Sequence, residues 1–248
     1  NSNIGSYQYL DVYGFNERLQ YQGVQGAVPM TVANPYLHWE TAVMKNLGID
    51  ISFRNFLTLN VDLYSNLNKD LLLSVPLALS SGFDSRTENT GKIRNSGIEV
   101  QITSNNFNRK NFKWSTSLNL GHNKNVVVYL PNHEDIVVSH SQGDQIYREG
   151  EPLYSWYMPK WLGVDPENGN PLWEKLLYDD DGNVIGSEPG SKVDMTKDVQ
   201  IVGCAQPKLT GGMLNTFNIY GLEASINLQF VYGNDVYNDT RRYIDSDG

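Results

Sequence analysis

The chain has 248 residues and a net charge of −9, and this acidic balance argues against a nucleic-acid partner, which requires a basic face. No apolar run is long enough for a membrane-spanning helix, and the single cysteine, Cys204, excludes an internal disulfide. Glycine, asparagine and tyrosine are frequent, as turn-rich β architecture requires.

The two ends of the sequence predict a piece of a longer polypeptide. The opening residues, NSNIGSYQYLDVYG, contain no basic start, apolar core or cleavage site, and they resemble the middle of a strand. The closing residues, RRYIDSDG, show no natural stop. We therefore expect this chain to be one part of a larger protein.

The first strongly alternating segment covers residues 38–53. Apolar and polar side chains occupy successive positions there, which is the period of a strand with one apolar and one polar face. A short turn follows, and residues 56–72 run back with the same alternation, so the pair predicts an antiparallel hairpin. Lys45 interrupts the apolar face near one end, where its long side chain can reach lipid headgroups.

A loop and a second hairpin come next in the chain. Residues 73–90 are rich in Ser, Gly and Pro and predict a loop. Residues 93–104 and 112–128 both alternate, and the polar segment NNFNRKN between them predicts the connecting turn.

An excursion at 124–208 follows, and it is too long to lack structure in a compact domain. It holds two hairpin candidates, at 162–174 and 177–186. Five aromatic residues in it are candidates for contact with a ligand or a partner protein, and local hairpin packing is the alternative. They are Tyr154, Trp156, Tyr157, Trp161 and Trp173.

The final hairpin contains the cleanest alternation in the sequence. Residues 210–220 and 222–237 flank a turn near Gly221, and LEASINLQFVY at 222–232 alternates without a break. About ten residues is the length that a tilted β-strand needs to cross a bilayer. The repeated pattern therefore favours a transmembrane β-barrel or a piece of one.

Three tight turns thus alternate with long excursions. Outer-membrane barrels place short turns on the periplasmic side and long loops outside, so we expect 124–208 to be extracellular. Aromatic residues flank the tight turns and predict either a periplasmic aromatic girdle or ordinary packing at hairpin ends. These residues are Phe53, Phe56, Phe107, Phe112 and Tyr220.

The alternation divides the strand side chains between a polar face, expected to line the barrel lumen, and an apolar face, expected to contact lipid. If Ile226 lies near the membrane midplane, Ile226→Arg should destabilise the barrel by about 2–4 kcal/mol, whereas Glu223→Arg should be tolerated. The candidate lumen residues are Asp50, Asn60, Asp62, Glu99, Gln101, Ser117, Asn119, Glu223 and Asn227. The candidate lipid-facing residues are Ile49, Ile51, Leu59, Val61, Ile98, Val100, Leu118, Ile226 and Leu228.

The sequence predicts no enzyme, no cofactor and no metal site. GxSxG, HExxH and P-loop patterns are absent. The run at 179–183 allows a calcium interpretation, but its spacing differs from that of an EF-hand loop and Asp-Gly is a good hairpin turn. The histidines lack metal-ligand spacing; they are His38, His122, His133 and His140.

Six segments, in order along most of the chain, resemble the SusC/RagA-type TonB-dependent transporters of Bacteroidota. Each segment is a weak signal alone, but six in the same order are specific. They are NPYLHWETAVMKNLGIDISF (34–53), LTLNVDLYSNLNKDLLL (57–73), SGFDSRTENTGKIRNSGIEVQI (81–102), WSTSLNLGHNKNVV (114–127), LGVDPENGNPLW (162–173) and QPKLTGGMLNTFNIYGLEASINLQFVYGNDVYN (206–238).

The resemblance implies an all-β fold in which antiparallel strands form part of a 22-stranded transmembrane β-barrel with long extracellular loops. Residues 1–248 would then be a partial barrel domain, with 124–208 as a long extracellular excursion that contains hairpins. The plug and the TonB box would lie outside this chain. The implied location is the bacterial outer membrane.

The implied function is active uptake of large nutrients, either glycans or oligopeptides, energised through TonB. The implied partners are a SusD-like surface lipoprotein, TonB acting on the missing N-terminal part, the remaining barrel and plug, and outer-membrane lipid. Two alternatives stay open. One is a soluble, secreted β-sandwich that binds glycans through the aromatic residues of 154–173, and the other is a passive porin without TonB contact.

Overall fold

A computed structural model of the chain describes residues 9–21, 24–139 and 143–244. The expectations for the two chain ends rest largely on residues 1–8 and 245–248, and these positions, like His140, lie outside the described residues.

Strands dominate the described residues, which also contain α1 (Asp239–Ile244) and the short 3₁₀ segments Leu79–Ser81 and Pro131–His133. No helix in these parts of the chain has the length and apolar character needed to cross a membrane. The strands, in chain order, are β1 (Val12–Tyr21), β2 (Val24–Thr31), β3 (Thr41–Phe53), β4 (Leu57–Lys69), β5 (Leu72–Pro76), β6 (Ser85–Asn89), β7 (Lys92–Arg109), β8 (Phe112–Tyr129), β9 (Ile136–Val138), β10 (Gln145–Tyr147), β11 (Ser155–Pro159), β12 (Trp161–Val164), β13 (Pro171–Tyr178), β14 (Val184–Gly190), β15 (Val199–Cys204), β16 (Leu209–Ile219) and β17 (Leu222–Tyr232).

Six long strands form one antiparallel sheet in the order β3, β4, β7, β8, β16, β17. The three predicted hairpins are confirmed as the three strand pairs β3–β4, β7–β8 and β16–β17. Their tight turns, at residues 54–56, 110–111 and 220–221, lie at one end of the sheet, and the long connections leave from the other end. Strands β3 and β17 are open edges of this sheet, so the barrel is not closed within the described residues.

The register aligns apolar residues across the whole sheet on one face. Their side chains are not covered, since Ile51 and Leu228 are each 53% exposed. A β-sandwich buries such a face against a second sheet, so the exposed face argues against the soluble sandwich. We call a set of residues that pair side by side across the strands a rung. The central rung of this apolar face contains Ile49, Val61, Val100, Leu120, Gly211 and Phe230.

Aromatic rings end the apolar face beside the tight turns, in a line that we call the aromatic row: Phe107, Trp114 and Phe217. Trp114 stacks against both neighbours, with centroid distances of 5.9 Å and 5.7 Å. Next to it, Trp114 Nε1 and Thr116 Oγ1 both donate to Asn215 Oδ1, at 3.1 Å and 2.7 Å. Rings combined with hydrogen-bonding groups suit a membrane–water interface. Phe107 also packs against Phe112 at 5.9 Å, so the girdle and ordinary packing at hairpin ends both stay predictions.

The prediction of a loop at 73–90 is wrong. Strands β5 and β6 pair antiparallel and extend the β4–β7 pair beyond the main sheet. Pro76 ends β5, and Gly82, with φ of 76°, lies in the tip that joins the two strands. The Ser, Gly and Pro composition therefore belongs to the edge and tip of a short hairpin, where these residues are tolerated.

The predicted turn at 105–111 is also too long. Strand β7 continues to Arg109, and only residues 110–111 turn. The register shifts between Asn105 and Phe107, which marks a β-bulge. Pairing with β8 overrides the weak strand preference of the asparagines, because strand propensity depends strongly on context.

The excursion predicted at 124–208 begins later than expected, because residues 124–129 belong to β8. The part that follows β8 folds into two small sheets. One contains β9, β10, β11 and β15, and the other contains β12, β13 and β14. The second sheet confirms the hairpins predicted at 162–174 and 177–186. The most buried apolar side chains of the described residues lie at the base of the excursion, namely Val127, Leu130 and Ile146.

Candidate functional site

The nine predicted lumen residues lie on the polar face of the six-stranded sheet, opposite the apolar rungs. Asn60 Nδ2 donates to Asp50 Oδ1 at 2.8 Å across β3 and β4. Glu223 lies nearer the tight turns, in a separate depression. Seven of the nine residues line one open groove of ≈ 590 Å³: Asn60, Asp62, Glu99, Gln101, Ser117, Asn119 and Asn227.

This groove presents amides, hydroxyls and carboxylates, which together offer many hydrogen-bond donors and acceptors to a ligand. The structure brings these side chains to one surface. Their assignment to the barrel lumen stays a prediction.

A second cluster on the polar face was not predicted from the sequence. Tyr64, Gly97 and Asn123 form what we call the tyrosine–glycine cluster. A Cβ added at Gly97 would lie 2.6 Å from Tyr64 Cζ and 2.3 Å from the backbone oxygen of His122. Tyr64 therefore fills the space that a larger residue would need. Its hydroxyl reaches across to donate to Asn123 Oδ1 at 3.0 Å.

Asn125 joins the sheet to the excursion. It is 4% exposed, its Nδ2 donates to Asn95 Oδ1 at 2.6 Å, and its Oδ1 accepts from the backbone amide of Leu153 at 2.9 Å. Val127 adds two backbone bonds to residues 150–151, both of 2.9 Å. Because buried amides must be paired, these contacts hold the base of the excursion against the end of β8.

The sequence contained a signal for both features. The motifs NSGIE at 95–99 and NKN at 123–125 belong to the quoted family resemblance, and the register pairs Asn95 with Asn125 and Gly97 with Asn123. The alternation places each polar side chain on a face but does not say which partner it meets. The pairing therefore became visible only in the structure.

The five aromatic candidates are divided between the two small sheets. Trp161 and Trp173 meet edge to face across the β12–β13 hairpin, with centroids 5.0 Å apart. Trp156, in β11, packs beside Tyr237 at 6.0 Å and donates from Nε1 to the backbone oxygen of Asp235 at 2.9 Å. These contacts are the ones that local packing requires, and contact of Trp156, Trp161 or Trp173 with a ligand stays a prediction.

The two tyrosines belong to the four-stranded sheet or its margin. Tyr157 carries the Arg148 guanidinium 5.8 Å from its ring centroid. Tyr154 precedes β11, has a left-handed φ of 63° and is 46% exposed. Trp161, across in the other sheet, is 51% exposed. Tyr154 and Trp161 therefore offer the largest accessible ring surface among the five candidates.

The acidic run at 179–183 forms a turn. Asp179 Oδ1 accepts from the backbone amides of Asp181 and Asn183, at 3.0 Å and 2.8 Å. The bonds from Asn183, followed by those from Asp181 and Gly182, hold the pKa of Asp179 below its ordinary value. This is an Asx turn, which supports the hairpin interpretation over calcium. No three His, Cys, Asp or Glu side chains of the described residues lie together as a metal site requires.

Glu149 fastens the segment that follows β8. Its Oε1 accepts from the backbone amide of Leu130 at 2.7 Å and from His133 Nδ1 at 3.0 Å. The Leu130 bond, and then the His133 bond, hold the pKa of Glu149 below its ordinary value of 4.5. A carboxylate with a depressed pKa in the folded state stabilises above its unfolded pKa, and this stabilisation is lost as the pH falls through the folded pKa.

Glu149→Gln is therefore expected to lower the hydrogen-exchange protection of the Leu130 amide at neutral pH in the full-length protein. The difference from wild type should shrink below about pH 4.5, as the wild-type carboxylate itself becomes protonated. Exchange mass spectrometry, with protection expressed relative to intrinsic rates, measures both effects. Glu151→Gln is the matched control, because Glu151 contributes its backbone oxygen to Val127. Equal loss of protection in both variants would contradict the assignment.

Comparison with known proteins places the chain in a family. Residues 5–246 match the family model described as TonB dependent receptor-like, beta-barrel. TonB-dependent receptor P3 of Formosa agariphila is 33% identical over 229 residues, which cover 88% of this chain and 23% of that protein. TonB-dependent receptor SusC of Bacteroides thetaiotaomicron is 30% identical over 162 residues, which cover 60% of this chain and 16% of that protein.

Similarity extends to a solved structure described as the RagAB peptide transporter. It matches with a TM-score of 0.78 and 26% identity, over 94% of this chain and 25% of that one. The chain thus spans about a quarter of the length of Formosa receptor P3 and of the matched RagAB chain. Proteins of this family reside in the bacterial outer membrane. The family match over most of the sequence, together with the two-faced antiparallel sheet, shows that the chain belongs to the TonB-dependent receptor-like β-barrels of the SusC/RagA type.

Proposed function

We propose that this chain forms part of the wall and the outer loops of a transporter that imports large nutrients, glycans or oligopeptides, through the outer membrane with energy delivered by TonB. The observation that carries the proposal is the six-stranded sheet with one polar and one exposed apolar face, in a chain of the TonB-dependent receptor-like family. Members of that family are transporters and receptors rather than enzymes.

In this proposal the polar groove faces the path of the ligand and the apolar face contacts lipid. The groove residues offer hydrogen bonds to hydroxyl-rich or amide-rich ligands. Tyr154 and Trp161 offer exposed rings that can stack on a sugar or pack against a peptide side chain. The similar RagAB structure is described as a peptide transporter, which supports oligopeptides as one of the two ligand classes.

The proposed partners act on the full-length protein. A SusD-like surface lipoprotein covers the outer mouth and contacts the excursion at 124–208, while TonB pulls on the plug. The remaining barrel strands close the edges at β3 and β17, because unpaired strand edges are not tolerated in lipid.

Cysteine labelling tests the two faces in the full-length protein. Asn119→Cys and Leu118→Cys, each in a Cys204→Ser background, place thiols at successive positions of β8 on opposite faces. A water-soluble, membrane-impermeant maleimide should label Asn119→Cys, and a lipid-soluble probe should label Leu118→Cys. Equal labelling of the two variants by both reagents would refute the face assignment.

Uptake assays test transport and separate the ligand classes. Cells that carry the full-length protein should accumulate labelled oligopeptides or labelled glycans, and accumulation should stop when TonB is deleted or the proton-motive force is collapsed. Uptake that survives both treatments would indicate a passive porin. A full-length protein that stays soluble without detergent would indicate the binding module instead.

A further inference from the structure

The apolar face ends in a row of cationic side chains at the end of the sheet that carries the long connections. Lys45 and Lys124 occupy one rung, with Ser65 and Ser96 between them. Arg94 lies on the next rung outward along β7. We call Lys45, Arg94 and Lys124 the basic row. Lys69 and Lys92 pair two rungs beyond Lys45 and continue the positive surface to the end of β4 and β7.

The parts of the strands that hold the basic row contain no carboxylate. They are residues 41–47 of β3, 63–69 of β4, 92–98 of β7 and 122–128 of β8, and none of these stretches contains Asp or Glu. The ion pairs of the described residues lie elsewhere, for example between Lys160 and Glu174 at 2.9 Å. A cluster of cations is thus left exposed on a chain whose net charge is −9.

The position of the basic row matches one boundary of a membrane. Lys124 follows Trp114 of the aromatic row by ten positions along β8, which is about 33 Å of strand. At the usual tilt of a barrel strand this corresponds to roughly 25 Å along the membrane normal, the height of the apolar band of outer-membrane barrels. The rungs of Leu118 and Leu120 lie between the two boundaries.

The shape of the row favours a layer of headgroups over a single ion. Lys45 and Lys124 stand on the first and fourth of four adjacent strands, about 14 Å apart, and all three side chains project from one continuous face. Lysine stems can lie along apolar surface while their ammonium groups reach the polar layer. The arginine can bind a phosphate with two parallel hydrogen bonds.

We propose that the basic row binds the phosphate groups of anionic lipid in the outward-facing leaflet of the outer membrane. The end with long connections is the outer end of such barrels, so the proposal rests on the proposed orientation of the sheet. It does not rest on transport, because lipid binding is measured without uptake.

The test uses the full-length protein in detergent, titrated with monophosphoryl lipid A and examined by native mass spectrometry. The triple variant Lys45→Gln, Arg94→Gln, Lys124→Gln should bind this lipid about a hundredfold more weakly, since each of the three cations near a charged lipid surface contributes on the order of 1 kcal/mol. The matched control is Arg109→Gln, Lys110→Gln, Lys113→Gln, which removes the same charge at the tight-turn end. The control should retain wild-type binding.

Three results would overturn the proposal. The first is that the control variant loses as much lipid binding as the triple variant, and the second is that the wild-type protein binds the dephosphorylated glycolipid equally well. The third is that inorganic phosphate at the concentration of the lipid displaces it completely, which would indicate an ion site. If the triple variant does not fold, the single variants Lys45→Gln and Lys124→Gln give the same comparison with smaller changes. Cells that import ligand normally while the purified protein ignores the lipid would reject this inference and leave the transport proposal intact.

Discussion

Val100→Arg is expected to destabilise the full-length barrel by about 2–4 kcal/mol, the cost of a cation at the membrane midplane on the lipid side of a barrel strand. Val100 lies on the central rung of the apolar face. The apolar face has six rungs from the aromatic row to the rung of Lys45 and Lys124, and the rung of Val100 is the fourth of them. It is also in an inner strand of the sheet, with β4 and β8 on either side. The side chain has no nearby polar layer to which it can extend.

The matched control is Gln101→Arg, one position further along the same strand. Gln101 lines the polar groove, so the arginine there stays in water and folding should be nearly unchanged. Glu223→Arg should be tolerated for the same reason. Denaturant titration of the full-length protein folded into lipid vesicles measures the free energy of unfolding. Equal stability of the Val100→Arg and Gln101→Arg variants would refute the assignment of the faces.

The register bears on the condition set for Ile226, that it lie near the membrane midplane. Its rung contains Thr116 and Asn215 and adjoins the aromatic row, so it lies near the interface rather than near the midplane. Ile226→Arg should therefore cost only about 0–1 kcal/mol. A cost as large as that of Val100→Arg would place the membrane closer to the tight turns than the aromatic row indicates.

Gly97→Ala is expected to destabilise the full-length barrel by about 1–3 kcal/mol, the usual cost of overpacking a close contact. The added Cβ meets the backbone oxygen of His122 at 2.3 Å and the ring of Tyr64 at 2.6 Å, and a backbone oxygen in a paired strand cannot easily move away. Displacement of the ring also breaks the bond from Tyr64 to Asn123, which is worth about 1 kcal/mol.

Gly48→Ala is the matched control for this substitution. Gly48 also lies on the polar face, but its added Cβ would meet only Asp62 Oδ1, at 2.9 Å, and the end of a flexible side chain can move aside. The same titration should therefore detect little change. If Gly97→Ala is as mild as Gly48→Ala, the tyrosine–glycine cluster does not constrain the sheet.

A second measurement, hydrogen exchange at Leu153, tests whether the effect of Gly97→Ala reaches the excursion. Asn95 stands two positions away and bonds to Asn125, which in turn accepts from the Leu153 amide. A shift of β7 at position 97 should loosen this link, so exchange protection at Leu153 should fall in Gly97→Ala and not in Gly48→Ala. Unchanged protection at Leu153 would show that sheet and excursion are independent at this point.

Local pattern was sufficient for much of the fold. The hairpins β3–β4 and β16–β17 were predictable because the period of two is a property of a few successive residues, although the strand predicted at 222–237 ends at Tyr232. Prediction from the local pattern failed at 73–90 and 105–109, where the amino-acid composition is typical of a loop. The hydrogen bonds to a partner strand decide the conformation there. Prediction from the local pattern also grouped five aromatic residues that the structure divides between two sheets, since closeness along the chain does not imply closeness across it.

The sequence by itself determined which side chains share a face, which turns are tight and which family the chain resembles, because alternation and motif order are written along the chain. Only the tertiary structure decided the register, and with it the strand partners of Ile226, the contact of Tyr64 with Gly97 and the alignment of Lys45 with Lys124. The physical reason is that a strand presents the same alternation in every register that keeps its apolar face. The choice among those registers depends on hydrogen bonds and side-chain contacts between strands that are distant in sequence, such as the bond between Asn95 and Asn125.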